Sequence, residues 1–168
     1  YHTSSIDHAS DSALIPLDNL HSSFLRQLDI DESHAFLHFN FPPLCLRRDI
    51  GMLGFLHKRV LGRCHPSFQH LLPFSLAHGD LLPGGRSRHN KQLESYSDST
   101  FFQEMLWKRS LFALVGVYNR LPQHIVDLQD ISEFQAFLTD YARKQCFNNV
   151  STWKDSFHPY VSHGLAYT

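Results

Sequence analysis

Asp29, Asp31 and Glu32 form a small carboxylate cluster. Two-metal phosphoryl transfer needs carboxylates that converge on magnesium ions, as strand ends or a tight hairpin allow. This cluster falls between two predicted helices, where acids serve as N-caps and sit well near the positive helix end. Thirteen histidines raise the question of a metal. His65 and His70 are five residues apart with Cys64 adjacent, but His57, His65, His70, His78 and His89 are dispersed and no Cys-x-x-Cys occurs. Zinc sites present close-spaced ligand pairs, so these histidines read as polar surface or satisfied core groups. Ser67 lies beside His65 without an orienting partner, and neither a Gly-x-x-x-x-Gly-Lys loop nor a Gly-x-Ser-x-Gly elbow occurs. Nothing here supports catalysis by this chain alone, and a stand-alone hydrolase lacks a converging set of groups.

The cations carry more. The net charge of −1 hides an acidic first third, residues 1–40 at −5, a basic middle, residues 41–91 at +6, and residues 92–168 at −2. In the middle stand Arg47, Arg48, Lys58, Arg59 and Arg63 on one predicted helix, then Arg86, Arg88, His89 and Lys91 in a loop. Arg47 and Lys58 are 11 residues apart, as are Arg48 and Arg59, so each pair shares a helix face, and Arg59 and Arg63 are neighbours four apart. Such a block is a footprint for a phosphate backbone, with loop donors suited to phosphate and sugar. The other reading is a solvated basic face balanced by the acidic first third.

The elements that must position these residues are mostly helices. A chain of 168 residues, 42% hydrophobic and 18% charged, suits one domain. Residues 1–13 read as a flexible lead-in. Leu14, Leu17, Leu20, Phe24, Leu25 and Leu28 mark one face of a helix over about 16–28. A short helix at 32–39 follows, ended by Asn40 to Pro43. Leu46, Ile50, Leu53, His57, Val60 and Leu61 define the third, with Gly62 as its left-handed end, while Gly51 and Gly54 imply close packing. Pro66 opens a brief turn. Residues 73–100 form a long central loop with a possible strand near 90–96. A helix from Phe102 to Gly116 stops at Pro122. Asp130 and Glu133 make a box-like start for a last helix striped by Phe134, Phe137, Leu138, Tyr141 and Ala142. The tail, 147–168, carries aromatics. The expected fold is mainly α, an irregular orthogonal bundle of five or six helices.

No apolar run reaches the ~18 residues of a membrane span, and no membrane partner is expected. The start shows no signal-peptide pattern, and its lack of Met points to a fragment. Cys45, Cys64 and Cys146 form no disulfide framework, which points to an intracellular setting, cytoplasm or nucleus.

An order of motifs now matters. Arg47-Arg48-Asp49-Ile50, Leu56-His57-Lys58 and Leu61-Gly62 come first, then Arg88-His89-Asn90-Lys91-Gln92-Leu93 and Phe101-Phe102. Val117 to Gln123, reading Val-Tyr-Asn-Arg-Leu-Pro-Gln, Ile125-Val126, and Ser132-Glu133-Phe134-Gln135 with Leu138 complete it. This succession, over about residues 14–146, resembles the C-terminal region of the reverse transcriptase of non-LTR, LINE-type retrotransposons. Tyr118 stands where that pattern usually has Trp, and Gln135 where it often has a basic residue. The resemblance implies the thumb-like and post-polymerase part of an RNA-directed DNA polymerase. Such a piece holds RNA or an RNA–DNA duplex through Arg47, Arg48, Lys58, Arg59, Arg63, Arg86, Arg88, His89 and Lys91, beside upstream polymerase domains. The family's polymerase uses Mg2+ at an aromatic-x-Asp-Asp motif; no two aspartates are adjacent in this chain, so no cofactor is expected in it. The alternative is a helical structural or protein-interaction domain, or the inactive remnant of such an element.

Overall fold

The computed structural model describes residues 11–75, 89–95 and 110–159, and the backbone alone of 81–82 and 86–87. Seven α-helices stand among the described residues: α1 (Asp11–Gln27), α2 (Glu32–Phe39), α3 (Leu44–Val60), α4 (Ser67–Leu71), α5 (Val115–Asn119), α6 (Gln123–Val126) and α7 (Ile131–Phe147). The protein is mainly helical, as its apolar spacing predicts. The count exceeds five or six because α6 is a four-residue helix opened by Pro122, where the sequence signals only a stop.

Helix ends are written locally. Asp31 caps α2 by accepting the His34 N–H at 2.8 Å. Asp130 caps α7 by accepting the N–H groups of Ser132 at 2.6 Å and Glu133 at 3.1 Å. Gly62 takes φ 71° after α3, and the N–H groups of Gly62 and Arg63 reach back to the carbonyls of Arg59 and Lys58. That pair of bonds is the Schellman ending, which needs a left-handed residue. Asp29 ends α1 and Asn149 ends α7 in the same way, each at φ 53°. Asp and Asn tolerate this region better than other side-chain-bearing residues, so they replace glycine there.

Helix α3 is the spine. It buries Leu46, Ile50, Met52, Leu53, Leu56 and His57 and packs chiefly against α7, which buries Phe134, Leu138, Ala142 and Cys146 at four-residue steps. Phe137 and Tyr141, on the same predicted stripe, are only partly buried. Gly54 allows the close approach: a Cβ there would lie 2.3 Å from Gln135 Nε2. The tail packs back through residue 159. Trp153 stacks on Phe36 with centroids 5.5 Å apart, and Phe157 is fully buried beside Tyr141.

Two expectations need correction. Helix α1 begins at Asp11 rather than near Pro16, so that proline lies inside it. Its apolar face also splits. Leu25 and His21 turn inward, while Leu17, Leu20, Phe24 and Leu28 remain exposed, because only one edge of the broad apolar surface meets the bundle.

The central excursion is partly ordered by antiparallel pairing. Phe74 bridges Leu93, and two-residue strands β1 (Leu81–Leu82) and β2 (Arg86–Ser87) pair with Leu81 opposite Ser87. Of the expected strand over 90–96, the described residues, 90–95, show the single bridge at Leu93. Residues 102–109 of the expected 102–116 helix lie outside the described residues; from Leu111 the chain forms a 3₁₀ turn that runs into α5.

Candidate nucleic-acid interface

The basic helix sorts its cations by angle. With 3.6 residues per turn, Arg47, Gly51 and Lys58 fall in one strip about 40° wide. Arg47 and Lys58 are exposed there, about 16 Å apart along the axis. Arg48 and Arg59 lie roughly 100° further round, at the margin of the buried surface. Arg48 forms a two-pronged bond to Asp18 on α1, with both N–O distances 2.9 Å and only 15% of its side chain exposed. Arg59 is 5% exposed; its Nε donates to the Leu72 carbonyl at 2.8 Å and its guanidinium lies 4.4 Å over the Phe74 ring. The expected phosphate contact through Arg59 is therefore corrected: its head group braces the turn after α4. Arg48 is likewise spent on an acid of the first third. Arg63 is exposed just past the α3 cap, and its Nη1 donates to the Gln129 carbonyl at 2.8 Å.

The loop set divides too. Arg86 lies in β2 by its backbone, and Arg88 lies outside the described residues. His89 is 3% exposed and faces inward, so its reading as a surface contact is corrected. Its Nδ1 accepts the Lys91 N–H at 3.1 Å, so the proton sits on Nε2, which donates to the Tyr118 carbonyl at 3.2 Å. Lys91 Nζ donates to the Val126 carbonyl at 3.0 Å and to Asp127 Oδ1 at 2.8 Å. Asp127 is held below the usual carboxylate range, first by that bond.

The sequence places His57 on the apolar stripe of α3, but its partners were not read from it. His57 is fully buried, stacked on Phe134 at 4.1 Å with planes 7° apart. Its Nε2 donates to the Leu128 carbonyl at 2.8 Å, so Nδ1 accepts the Tyr118 hydroxyl at 3.0 Å. Burial holds His57 and His89 below the ordinary histidine range and pushes the Tyr118 phenol well up. The sequence signal was a histidine at a core position of the α3 stripe, with an aromatic of hydrogen-bonding type at Tyr118.

The carboxylate cluster is spent on structure. Asp31 caps α2. Burial raises Glu32, but the Lys154 ammonium and the Ser22 hydroxyl bonded to it outweigh this and hold it low. Asp29 serves as the left-handed end of α1. These residues do not fit a magnesium site, and among the described residues no three His, Cys, Asp or Glu side chains gather as a metal ion would require. Nor is any helix among the described residues long and apolar enough to cross a membrane. Compared with protein-family models, with curated proteins and with solved structures, the chain matches none.

Proposed function

We propose that this chain holds nucleic acid without catalysing, as the C-terminal, thumb-like region of a non-LTR reverse transcriptase would, and that its ligand is RNA or an RNA–DNA duplex. The observation that carries the reading is the exposed pair Arg47 and Lys58 on one strip of α3, with Arg63 beyond the helix end. The contact set is smaller than the charge pattern alone suggests: Arg47, Lys58 and Arg63, with Arg86 and Arg88 of the loop. The upstream polymerase domains and an intracellular setting belong to the same reading. Affinity for an RNA–DNA duplex, measured across salt, tests it. Each phosphate contact adds about −0.7 to −0.9 to the slope of log affinity against log salt, so R47A, K58A and R63A should each flatten it by about one unit. A wild-type slope near zero, or one that none of these variants changes, refutes the reading.

A second reading, a helical structural or protein-interaction domain or the inactive remnant of such an element, draws on a different observation. Leu17, Leu20 and Phe24 along one side of α1, and Leu28 just past its end, are 42%, 68%, 48% and 51% exposed. Contiguous exposed apolar surface of this kind marks interaction sites. A slope near zero in the salt experiment selects this reading.

A further inference from the structure

We propose that the 89–95 segment is an acid-released latch: a proton added to His89 breaks its attachment to α5 and frees the segment while the packed pair α3 and α7 stays folded. The segment carries little regular structure. Its backbone pairs with residues 73–75, where the Ser75 N–H donates to the Gln92 carbonyl and the Glu94 N–H to the Pro73 carbonyl, each at 2.9 Å, and side chains fasten it to α5, α6 and the residues just after α6. His89 holds the Tyr118 carbonyl, Asn90 and Gln123 exchange bonds at 3.0 Å, and Asn119 holds both backbone groups of Leu93. Lys91 reaches Val126 and Asp127.

His89 is the fastening that a proton undoes. In its neutral form each ring nitrogen has one role, Nδ1 accepting from the Lys91 N–H and Nε2 donating to the Tyr118 carbonyl. A proton on Nδ1 would face the Lys91 N–H, a donor against a donor, and a backbone N–H cannot turn into an acceptor. The bond has to break and the charged ring has to leave its site, which is only 3% exposed.

The neighbours favour the neutral ring. Among the described residues, the charged and titratable groups around His89 are Lys91 on its own segment, Asp127 after α6 and Tyr118 on α5. Burial is the strongest influence against the proton; Lys91 adds to it, and Asp127 opposes it. His57, at the other end of Tyr118, sits between α3 and α7 with Lys91 and Arg63 acting against its proton. His57 stacks on Phe134, so its protonation strains the α3–α7 pair, whereas His89, also buried, meets Tyr118 on α5. Opening also returns the Lys91 ammonium to solvent.

Nuclear magnetic resonance of the 168-residue chain, from about pH 7.5 to about pH 5, tests the latch through the His89 ring titration and amide protection factors. One proton linked to opening makes the protection of the Lys91 and Leu93 amides fall about tenfold per pH unit below ~6.5, down to the folded midpoint of His89. Phe134 and Leu138 in α7 should keep their protection through that step. The proposal is overturned if His89 titrates at or above ~6.5, if the Lys91 and Leu93 amides stay protected, or if the α7 amides open in parallel. His89→Phe should abolish the pH dependence at Lys91. Tyr118→Phe removes only the hydroxyl that His57 uses and should leave the Lys91 profile in place; a shift there would assign the effect to His57 and overturn the latch.

Discussion

Asn119 at the end of α5 binds the backbone of Leu93 in both directions: its Oδ1 accepts the Leu93 N–H at 2.9 Å and its Nδ2 donates to the Leu93 carbonyl at 2.8 Å. On the edge away from Phe74, a side-chain amide thus takes the place of a second strand for a residue that is fully buried. Asn119→Ala leaves a buried donor and a buried acceptor unpaired, at about 1–3 kcal/mol each. Urea unfolding should show a loss of about 3 kcal/mol; a loss below ~1 kcal/mol would mean that water or another group replaces the amide.

Stability should fall as the solution is acidified below pH ~6.5. Burial holds His21, His57 and His89 below their ordinary value in the fold. Between those lowered values and ~6.5 the unfolded chain binds more protons than the folded one, so this stability is fully present above ~6.5 and lost as pH drops. Each histidine contributes a slope of up to about 1.4 kcal/mol per pH unit in that window. Denaturant midpoints between about pH 7.5 and 5 read it. A flat profile would contradict the buried neutral rings.

Gly54 and Gln135 should behave as a coupled pair. An added Cβ at Gly54 meets Gln135 Nε2 at 2.3 Å, Cδ at 2.9 Å and Cγ at 3.0 Å. Alanine improves helix propensity by about 1 kcal/mol but forces the Gln135 side chain out of a half-buried place. Gly54→Ala should stabilise more in a Gln135→Ala background than in the wild type, where the gain in propensity is offset by displacing Gln135. Additive effects in this double-mutant cycle would show that the two sites do not meet.

The arginines of α3 should separate into two classes. Arg48→Ala breaks the half-buried bond to Asp18 and should cost stability while leaving the salt slope of duplex binding unchanged. Arg47→Ala, at an exposed position, should do the reverse. Thermal unfolding and binding, measured on the same two variants, check both.

Cys45 should be slow to react. Burial, with Asp49 next in effect, pushes its thiol up to about 11. At pH 8 its thiolate fraction then falls about two hundredfold below that of a free cysteine. Alkylation of Cys45 in the folded chain should lag the unfolded chain by a factor of that order, and equal rates would contradict its burial.

The local features were legible from the sequence because they rest on neighbours along the chain. The spacing of Phe134, Leu138 and Ala142, the caps at Asp31 and Asp130, and the left-handed end at Gly62 each involve residues within about one or two turns. The Asp29 and Asn149 endings use the same motif without glycine and passed unread. What the cations do was settled at longer range. Arg47 and Arg48 are adjacent and chemically alike, but Asp18, 30 residues away, turns one of them inward. The His57–Tyr118 and Asn119–Leu93 pairs span 61 and 26 residues. A helical period says which side chains share a face. What packs against that face decides whether a charged or polar group meets water or a buried partner, and only the assembled bundle supplies that.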